Sequence, residues 1–227
     1  MENRKEIIEN FFRQLFRRDL RTVFKAENTP AEIMASTVDS EGWYEWKPLI
    51  GTLKLDDYKV IEQKFNIIFP KSFIEWHKAH FFLDGDCTLL RLPHSSPNEP
   101  LQEIIDIIDN DIAKDLIKLG LYPFGQEGND AGLLIFDGRV EVMGNEFPIR
   151  FYDYDGNTEG ISEIIFSSFF KLLECITYFF KEIETRKSYE IIPEFLSIDP
   201  EGAGRTGVDY WLRWAAMEKS NEEYFKE

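Results

Sequence analysis

Short apolar runs separated by turn-forming residues occupy the middle of the chain, between positions 119 and 151. The run 133–136 is followed by Asp137-Gly138 and then by an alternating segment at 139–143. This pattern is typical of a β-hairpin closed by a two-residue type I′ turn. A further apolar segment follows at 147–151, so the pattern predicts a meander of short antiparallel strands.

Apolar residues spaced by four positions predict a helix at the N-terminus. Every fourth residue from Ile8 to Phe24 is apolar, and a separate row of the same segment is basic. A basic, phenylalanine-rich helix can lie on a membrane or in the groove of a partner. Because its apolar face is wide, we expect it to pack on its own domain.

Further helices are predicted on both sides of the meander. Asp56 is placed to cap a helix that contains Tyr58, and Pro70 fits the first turn of a second helix that contains His77. After a strand at 87–92, one long helix is predicted over 101–119. Its outward face is acidic and consists of Glu103, Asp106, Asp109 and Asp115.

The clearest core helix begins after the meander. Ser167 or Ser168 is its start, and apolar residues then keep a three-and-four spacing as far as Ile183. A last amphipathic helix is predicted from about Val208 and carries Trp211.

These elements predict an α+β fold, in which helices pack on a mostly antiparallel sheet meander, with helical extensions at both ends. We expect a basic helix and loop extension over 1–42 and an α+β domain over 43–187. We expect 188–227, with its glycine turn and tryptophan-containing helix, to pack on the same domain.

The charge of the chain restricts its partners. Forty-two acidic residues against 26 basic ones give a formal net charge of −16. Such a chain repels nucleic acid and anionic lipid and attracts basic proteins, so we expect no direct binding to nucleic acid. No signal peptide or membrane-spanning run is evident, which predicts a cytoplasmic protein without membrane insertion. Cys87 and Cys175 have apolar neighbours and are predicted to be buried thiols.

Three motifs suggest chemistry, but each lacks a necessary part. Residues 202–207 spell the dinucleotide-binding fingerprint, yet too little chain follows for a βαβ unit, so a flexible turn is predicted. Residues 153–158 begin like a calcium loop but lack its glycine and its final glutamate, which predicts a solvated turn. His77 and His80, three residues apart on the predicted second helix, lack further ligands and are predicted to be buried or half-buried. We therefore expect no metal, cofactor or catalytic residue.

An ordered set of motifs resembles a known family. The motifs are Trp46-Lys47-Pro48, the segment from Ile61 to Trp76 with Phe65, Pro70 and Phe73, then Leu121-Tyr122-Pro123-Phe124-Gly125, Asp130-Ala131-Gly132-Leu133-Leu134-Ile135-Phe136-Asp137, Phe147-Pro148-Ile149 and Ser167-Ser168-Phe169 with Leu172-Leu173. Their order and spacing resemble the SUKH superfamily, which includes yeast cell-wall synthesis regulators, over about residues 43–183. The acidic helix and the two extensions depart from the compact pattern of that family.

The resemblance implies an α+β fold and a non-enzymatic, protein-binding function. Bacterial members typically resemble immunity proteins, which bind a secreted toxin, often a nuclease, and block it. Because carboxylates can occupy the place of nucleic-acid phosphates, an acidic surface suits that role. The partner is then a basic toxin or effector, and the expected contact residues are Asp84, Asp86, Tyr122, Phe124, Glu127, Asp130, Asp153, Tyr154 and Asp155.

Two other functions remain open on the sequence. One is a regulatory scaffold like the fungal members of the family, which would bind several cellular proteins. The other is an enzyme with a small-ligand pocket beneath the meander, which predicts a deep cleft and a strongly shifted pKa. The oligomeric state is also open.

Overall fold

Five antiparallel strands form the central sheet, in the order β5-β6-β7-β8-β9. The computed structural model describes residues 2–18, 22–27, 29–140, 145–155 and 160–224. Neighbours in the sheet are consecutive along the chain, so the predicted meander and the α+β class are confirmed. The strands are β5 (Leu90–Arg91), β6 (Leu121–Glu127), β7 (Gly132–Asp137), β8 (Ile149–Asp153) and β9 (Ile161–Phe166).

Helices and two short ribbons surround this sheet. The ribbons pair β1 (Thr22–Phe24) with β2 (Trp43–Glu45), and β3 (Leu49–Ile50) with β4 (His80–Phe81). The helices are α1 (Glu2–Leu15), α2 (Leu55–Phe65), α3 (Lys71–His77), α4 (Gln102–Ile108), α5 (Asp111–Lys118), α6 (Phe169–Glu182), α7 (Ser188–Ile191), α8 (Phe195–Ile198) and α9 (Val208–Tyr224). None of the helices in the described part of the chain is long and apolar enough to cross a membrane.

Aromatic side chains dominate the core on one face of the sheet. Phe124 and Phe136 stack with their ring centroids 3.8 Å apart, and each meets Phe169 of α6 edge-on. The opposite face carries a smaller apolar cluster beneath α5, formed by Leu116, Leu121, Leu133 and Ile135. Because both faces are covered in this half of the sheet, β7 is buried along its whole length.

Helix α1 packs on its own domain, as the sequence predicted. Phe11 and Phe12 are buried against Trp76 of α3, and Phe11 also meets Phe180 of α6. The helix is shorter than predicted, because it ends at Leu15.

The chain changes direction after α1, and Phe24 lies in β1 instead of continuing the helix. The guanidinium of Arg18 donates to the carbonyl of Asp86 (2.7 Å) and to the hydroxyl of Thr88 (2.8 Å), and it lies over the ring of Phe180. These long-range contacts hold the chain where the helix stops. The predicted helical position of Leu20 lies outside the described residues.

The predicted two-residue hairpin at Asp137-Gly138 is wrong. Neither residue has the positive φ that a type I′ turn requires. Gly138 and Arg139 instead form a turn in which the N–H of Val140 donates to the carbonyl of Asp137 at 3.2 Å. The next strand is β8, since the N–H of Asp137 donates to the carbonyl of Pro148 at 2.9 Å. The carboxylate of Asp137 is buried and binds Arg139 across the turn, so the chain leaves the sheet instead of pairing at once. The predicted strand residues 141–143 lie outside the described residues.

The predicted helix over 101–119 is two helices, α4 and α5. Asn110 separates them: its side-chain oxygen accepts the N–H of Ala113 and its amide nitrogen donates to the carbonyl of Ile107, both at 2.9 Å. This is an N-cap in the middle of an unbroken apolar pattern. Asp106, Asp109 and Asp115 are exposed as expected.

Smaller predictions also need correction. The strand expected at 87–92 is limited to β5, and His80 lies in β4 and not on the second helix. Asp57, rather than Asp56, caps α2 by accepting the N–H of Lys54 at 2.7 Å. The starts of α3, α6 and α9 agree with the sequence, and Ser168 is the N-cap of α6.

The glycine-rich segment 202–207 covers the outer edge of β9. The hydroxyl of Thr206 donates to the carbonyl of Ile164, and the indole N–H of Trp211 donates to the carbonyl of Ile165, both at 2.9 Å. A Cβ on Gly207 would lie 3.0 Å from that Ile164 oxygen. The segment forms the turn before α9 that was predicted, but it is packed and not flexible.

Asp199 holds this turn against the sheet. Its buried carboxylate accepts the backbone N–H (2.7 Å) and the hydroxyl (2.6 Å) of Ser167, and the N–H of Gly202 (3.2 Å). One side chain therefore joins the end of β9, the start of α6 and the glycine-rich turn.

Replacing Asp199 by alanine should lower the free energy of unfolding by about 3 kcal/mol, because donors of Ser167, Gly202 and Ala203 lose a buried acceptor. The matched control is Glu201→Ala, which removes an exposed carboxylate two residues away and should change stability by less than about 0.5 kcal/mol. Urea denaturation of both variants measures the difference. Equal stabilities would show that Asp199 does not hold the turn.

Candidate functional site

A groove of about 250 Å³ opens between α4 and one end of the sheet. We call it the Arg91 groove. Residues from four strand regions and from α4 converge on it, so it exists only in the folded chain. Its walls are formed by Arg91, Glu103, Asp106, Ile107, Asn110, Gln126, Leu133 and Tyr154.

Two of the predicted contact residues meet at this groove. Asp130, in the turn between β6 and β7, forms an ion pair with Arg91, with 3.0 Å between the carboxylate oxygen and the guanidinium nitrogen. Tyr154 lines the groove, and its N–H donates to the carbonyl of Ala131, beside Asp130. Burial, and then the nearby charge of Asp130, raise the pKa of the Tyr154 phenol. The tyrosine therefore stays neutral beside an acidic rim.

Asp84 and Asp86 lie in the turn that leads into β5. The backbone of Asp86 pairs with that of Arg91, which places this turn next to the groove. The Asp84 carboxylate accepts the N–H of Asp86 at 2.8 Å, and the Asp86 carboxylate accepts the N–H of Thr88 at 2.6 Å. Burial raises the pKa of Asp84, while Asp86 is exposed. Both acids shape a turn, and Asp86 also faces solvent.

Asp153 and Asp155 lie at the end of β8. The Asp153 carboxylate accepts the N–H of Asp155 at 2.9 Å, and Asp153 stands opposite Gly132 in the sheet. This is the same end of the sheet as Asp130. Residues 156–159 of the predicted solvated turn lie outside the described residues.

Three predicted contact residues do not belong to this surface. Phe124 is fully buried in the aromatic core and cannot contact a partner. Glu127 is buried, and its carboxylate accepts the N–H groups of Asn129 (2.7 Å) and Ala131 (3.3 Å). Tyr122 is half-buried against Phe147 at the opposite end of the sheet. The prediction placed them by their position in sequence, whereas the pleat of the sheet decides which side chains reach solvent.

His94 and Glu103 form an ion pair at the groove that the sequence analysis missed. The carboxylate of Glu103 binds both the ring and the backbone N–H of His94. Burial lowers the pKa of His94, but the hydrogen bond and charge of Glu103, and the charge of Asp84, outweigh it, so the pKa is raised. No short sequence motif predicts this pair, because His94 lies in a proline-containing loop and Glu103 follows nine residues later, in α4.

The most strongly shifted groups lie in the core and not in the groove. Burial lowers the pKa of His77 to about 3, so its ring is neutral and accepts the hydroxyl of Tyr58 at 2.7 Å. Burial also raises the pKa of the thiols of Cys87 and Cys175, which are fully buried as predicted. His77 is buried and His80 half-buried, as expected for structural histidines.

A second cavity, of about 390 Å³, lies between α1 and α6. Its wall mixes charges of both signs, and two of them, Lys171 and Glu174, pair with each other at 2.7 Å. Across the described residues, no group of three or more histidine, cysteine, aspartate or glutamate side chains could hold a metal ion.

Comparison with models of known protein families finds no match to this chain, and comparison with curated proteins finds none either.

Replacing His94 by glutamine should reduce the dependence of stability on pH. The folded protein holds the His94 proton more tightly than the unfolded chain, whose histidine pKa is about 6.5. The stabilisation is therefore fully present below about pH 6.5 and is lost as the pH rises through the higher folded pKa. The difference in unfolding free energy between wild type and His94→Gln should thus be larger at about pH 5.5 than at about pH 8.

Comparing each variant with wild type is necessary because His77 and His80 have lowered pKa values and destabilise the protein as the pH falls. Glu103→Gln should reproduce the effect of His94→Gln, since it removes the other partner. A difference that stays constant with pH would contradict the ion pair.

Proposed function

We propose that this chain is a non-enzymatic protein-binding module, a cytoplasmic immunity protein that neutralises a basic bacterial toxin, such as a nuclease, by covering it with an acidic surface. The observation that carries the proposal is the Arg91 groove, which is lined by two carboxylates of α4, Glu103 and Asp106, on a chain with a net charge of −16. The resemblance of its motifs to the SUKH superfamily supports the same conclusion.

The carboxylates around the groove differ in how much of their charge is neutralised. On α5, Asp115 pairs with Lys118 at 2.7 Å, and just before that helix Asp109 pairs with Lys114 at 2.8 Å. Asp106, in contrast, binds only the neutral amide of Gln102, among the residues that the structure describes. Asp155 has no cationic partner within the same ranges. Both acids are exposed and therefore available to an incoming cation.

The groove suits a lysine or arginine side chain of a partner. A cation that enters it meets the carboxylate of Asp106 and the phenol of Tyr154, with Ile107 and Leu133 against its aliphatic stem. The cation already present, Arg91, is held by Asp130 and does not repel a partner as a free charge would. Partial exclusion of water inside the groove strengthens such contacts.

The wider field of the protein favours rapid binding. A net charge of −16 attracts a basic toxin from a distance and raises its association rate, an effect that salt screens. A nuclease arranges basic residues for phosphates, so an acidic surface docked there excludes the substrate. The groups with strongly shifted pKa values are buried away from the groove, which gives an enzymatic alternative little support.

The double variant Asp106→Lys, Asp155→Lys should bind the toxin at least about tenfold more weakly, mainly through a slower association rate. These positions are chosen because neither acid forms an ion pair with another described residue. The control, Glu32→Lys with Glu184→Lys, changes the net charge by the same amount at exposed positions outside the groove. It should retain most of the affinity.

The toxin to use is the product of the neighbouring gene, co-expressed with this chain. Rescue of growth and isolation of a stoichiometric complex are the expected results, followed by measurement of association rates at low and high salt. Absence of both rescue and complex would contradict the immunity function. An equal loss of affinity in the two double variants would contradict the assignment of the groove.

A further inference from the structure

The cavity between α1 and α6, which we call the α1–α6 cavity, is separate from the Arg91 groove. Its volume of about 390 Å³ is within the range of sites that bind small molecules. Residues of α1, α6 and α8 form its wall, and none of the described residues lines both the cavity and the groove. A ligand of this cavity would therefore be distinct from the protein partner proposed above.

Helices α1 and α6 run side by side in the same direction. Near their starts, the guanidinium carbon of Arg4 lies 5.4 Å from the ring centroid of Phe170. Further along, the ring centroids of Phe11 and Phe180 are 5.9 Å apart. Residues at the start of α1 are therefore level with the start of α6, and the middle of α1 is level with the end of α6.

Two side chains of opposite charge line the cavity at different levels. Glu6 follows Arg4 by two residues, and Lys181 follows Phe180 directly. With a helical rise of 1.5 Å per residue, they stand about 10 Å apart along the helices. Both are exposed, and neither side chain forms an ion pair or a hydrogen bond with another described residue.

The other two charges of the wall already neutralise each other. The ammonium of Lys171 lies 2.7 Å from the carboxylate of Glu174, and it also donates to the carbonyl of Ile198 at 3.0 Å. This pair ties α8 to α6 and so fixes one side of the cavity. One carboxylate and one ammonium, those of Glu6 and Lys181, remain for a ligand.

A buried hydroxyl lies between the two free charges. Thr177 lines the cavity one helical turn before Lys181. The residue is 7% exposed, and its hydroxyl oxygen has no hydrogen-bond partner among the described residues. An unpaired buried hydroxyl is costly, and most such groups in proteins are paired. A ligand with a polar group at its centre would supply the missing partner.

Two further polar groups of the wall have hydrogen-bonding capacity left. The hydroxyl of Tyr178 accepts from the guanidinium of Arg186 at 3.0 Å, which leaves its own proton available to a ligand. The side-chain oxygen of Asn10 accepts from Arg13 at 2.9 Å, which leaves its amide nitrogen as a donor. Both groups suit the oxygen atoms of a peptide or a carboxylate.

We propose that the α1–α6 cavity binds a dipeptide with apolar side chains in its zwitterionic form. Its ammonium pairs with Glu6, its carboxylate pairs with Lys181, and its central peptide group bonds to Thr177. Ile7 and Ile198 offer apolar surface to its side chains. An extended dipeptide is about 7 Å long, so hydrogen bonds at both ends complete the distance between the two charges. A single amino acid is too short to reach both.

Isothermal titration calorimetry with leucyl-leucine and the full chain tests this proposal at neutral pH. N-acetyl-leucyl-leucine lacks the ammonium and leucyl-leucine amide lacks the carboxylate, so each should bind about tenfold more weakly. Free leucine should also bind about tenfold more weakly, because it cannot bridge the two charges.

Thr177→Val separates ligand binding from folding. Because the hydroxyl has no partner among the described residues, this variant should unfold at the same temperature as wild type or higher. Its dissociation constant for leucyl-leucine should rise about fivefold. Lys181→Gln should raise that constant about tenfold. The matched control Lys219→Gln, which changes an exposed lysine of α9 outside the cavity, should leave it unchanged.

Absence of both a heat of binding and a rise in melting temperature at about 10 mM leucyl-leucine would overturn the proposal. Equal affinity for leucyl-leucine and its two blocked forms would contradict the roles of the charged groups. Tighter binding of free leucine would contradict the choice of a dipeptide. A lower melting temperature of Thr177→Val would mean that the hydroxyl has a partner within the fold, and so would exclude its role toward a ligand.

Discussion

Hydrogen bonds to buried carboxyl groups hold the loops of this protein on its sheet. Glu127, Asp137, Glu146 and Asp199 are all almost completely buried, and each binds groups from a loop or a neighbouring element. A buried carboxyl group without partners is costly, so the surrounding N–H and guanidinium groups must converge on it. In this acidic chain, some of the carboxyl groups therefore stabilise the fold from inside, while the others face solvent.

The geometry of the Arg91 groove depends on these internal contacts. Glu127 holds the turn that carries Asp130, and Asn110 ends α4 at the groove wall. At the opposite end of the sheet, Arg150 of β8 links β7 and β9 by binding Asp137 (2.7 Å) and the carbonyl of Ser162 (2.8 Å). The exposed acids beside the groove are thus held in place by polar contacts within the fold.

The spacing of apolar residues predicted α6 and the strands β6 to β8, because the buried residues of these elements follow the regular period of a helix or a strand. It failed where the hydrogen bonds or ion pairs of a single side chain override the pattern. Asn110 caps the start of α5 and so divides a continuous apolar repeat into two helices. Asp137, in a sequence typical of a two-residue hairpin, instead forms an ion pair with Arg150. The register of β6 shifts between Pro123 and Gly125, and Phe124, between them, is packed in the core. At the candidate site, the sequence predicted that the acids lie in or near turns, but it did not predict the ion pair of His94 with Glu103.

The C-terminal segment packs along the outer edge of β9 and shields it from other strands. Thr206 and Trp211 occupy carbonyls that would otherwise attract another strand, and Phe195 and Phe166 pack around the same indole. Loss of the last helix would free the carbonyl of Ile165 and expose the apolar surface around it. The C-terminal segment therefore limits strand pairing at this edge of the sheet.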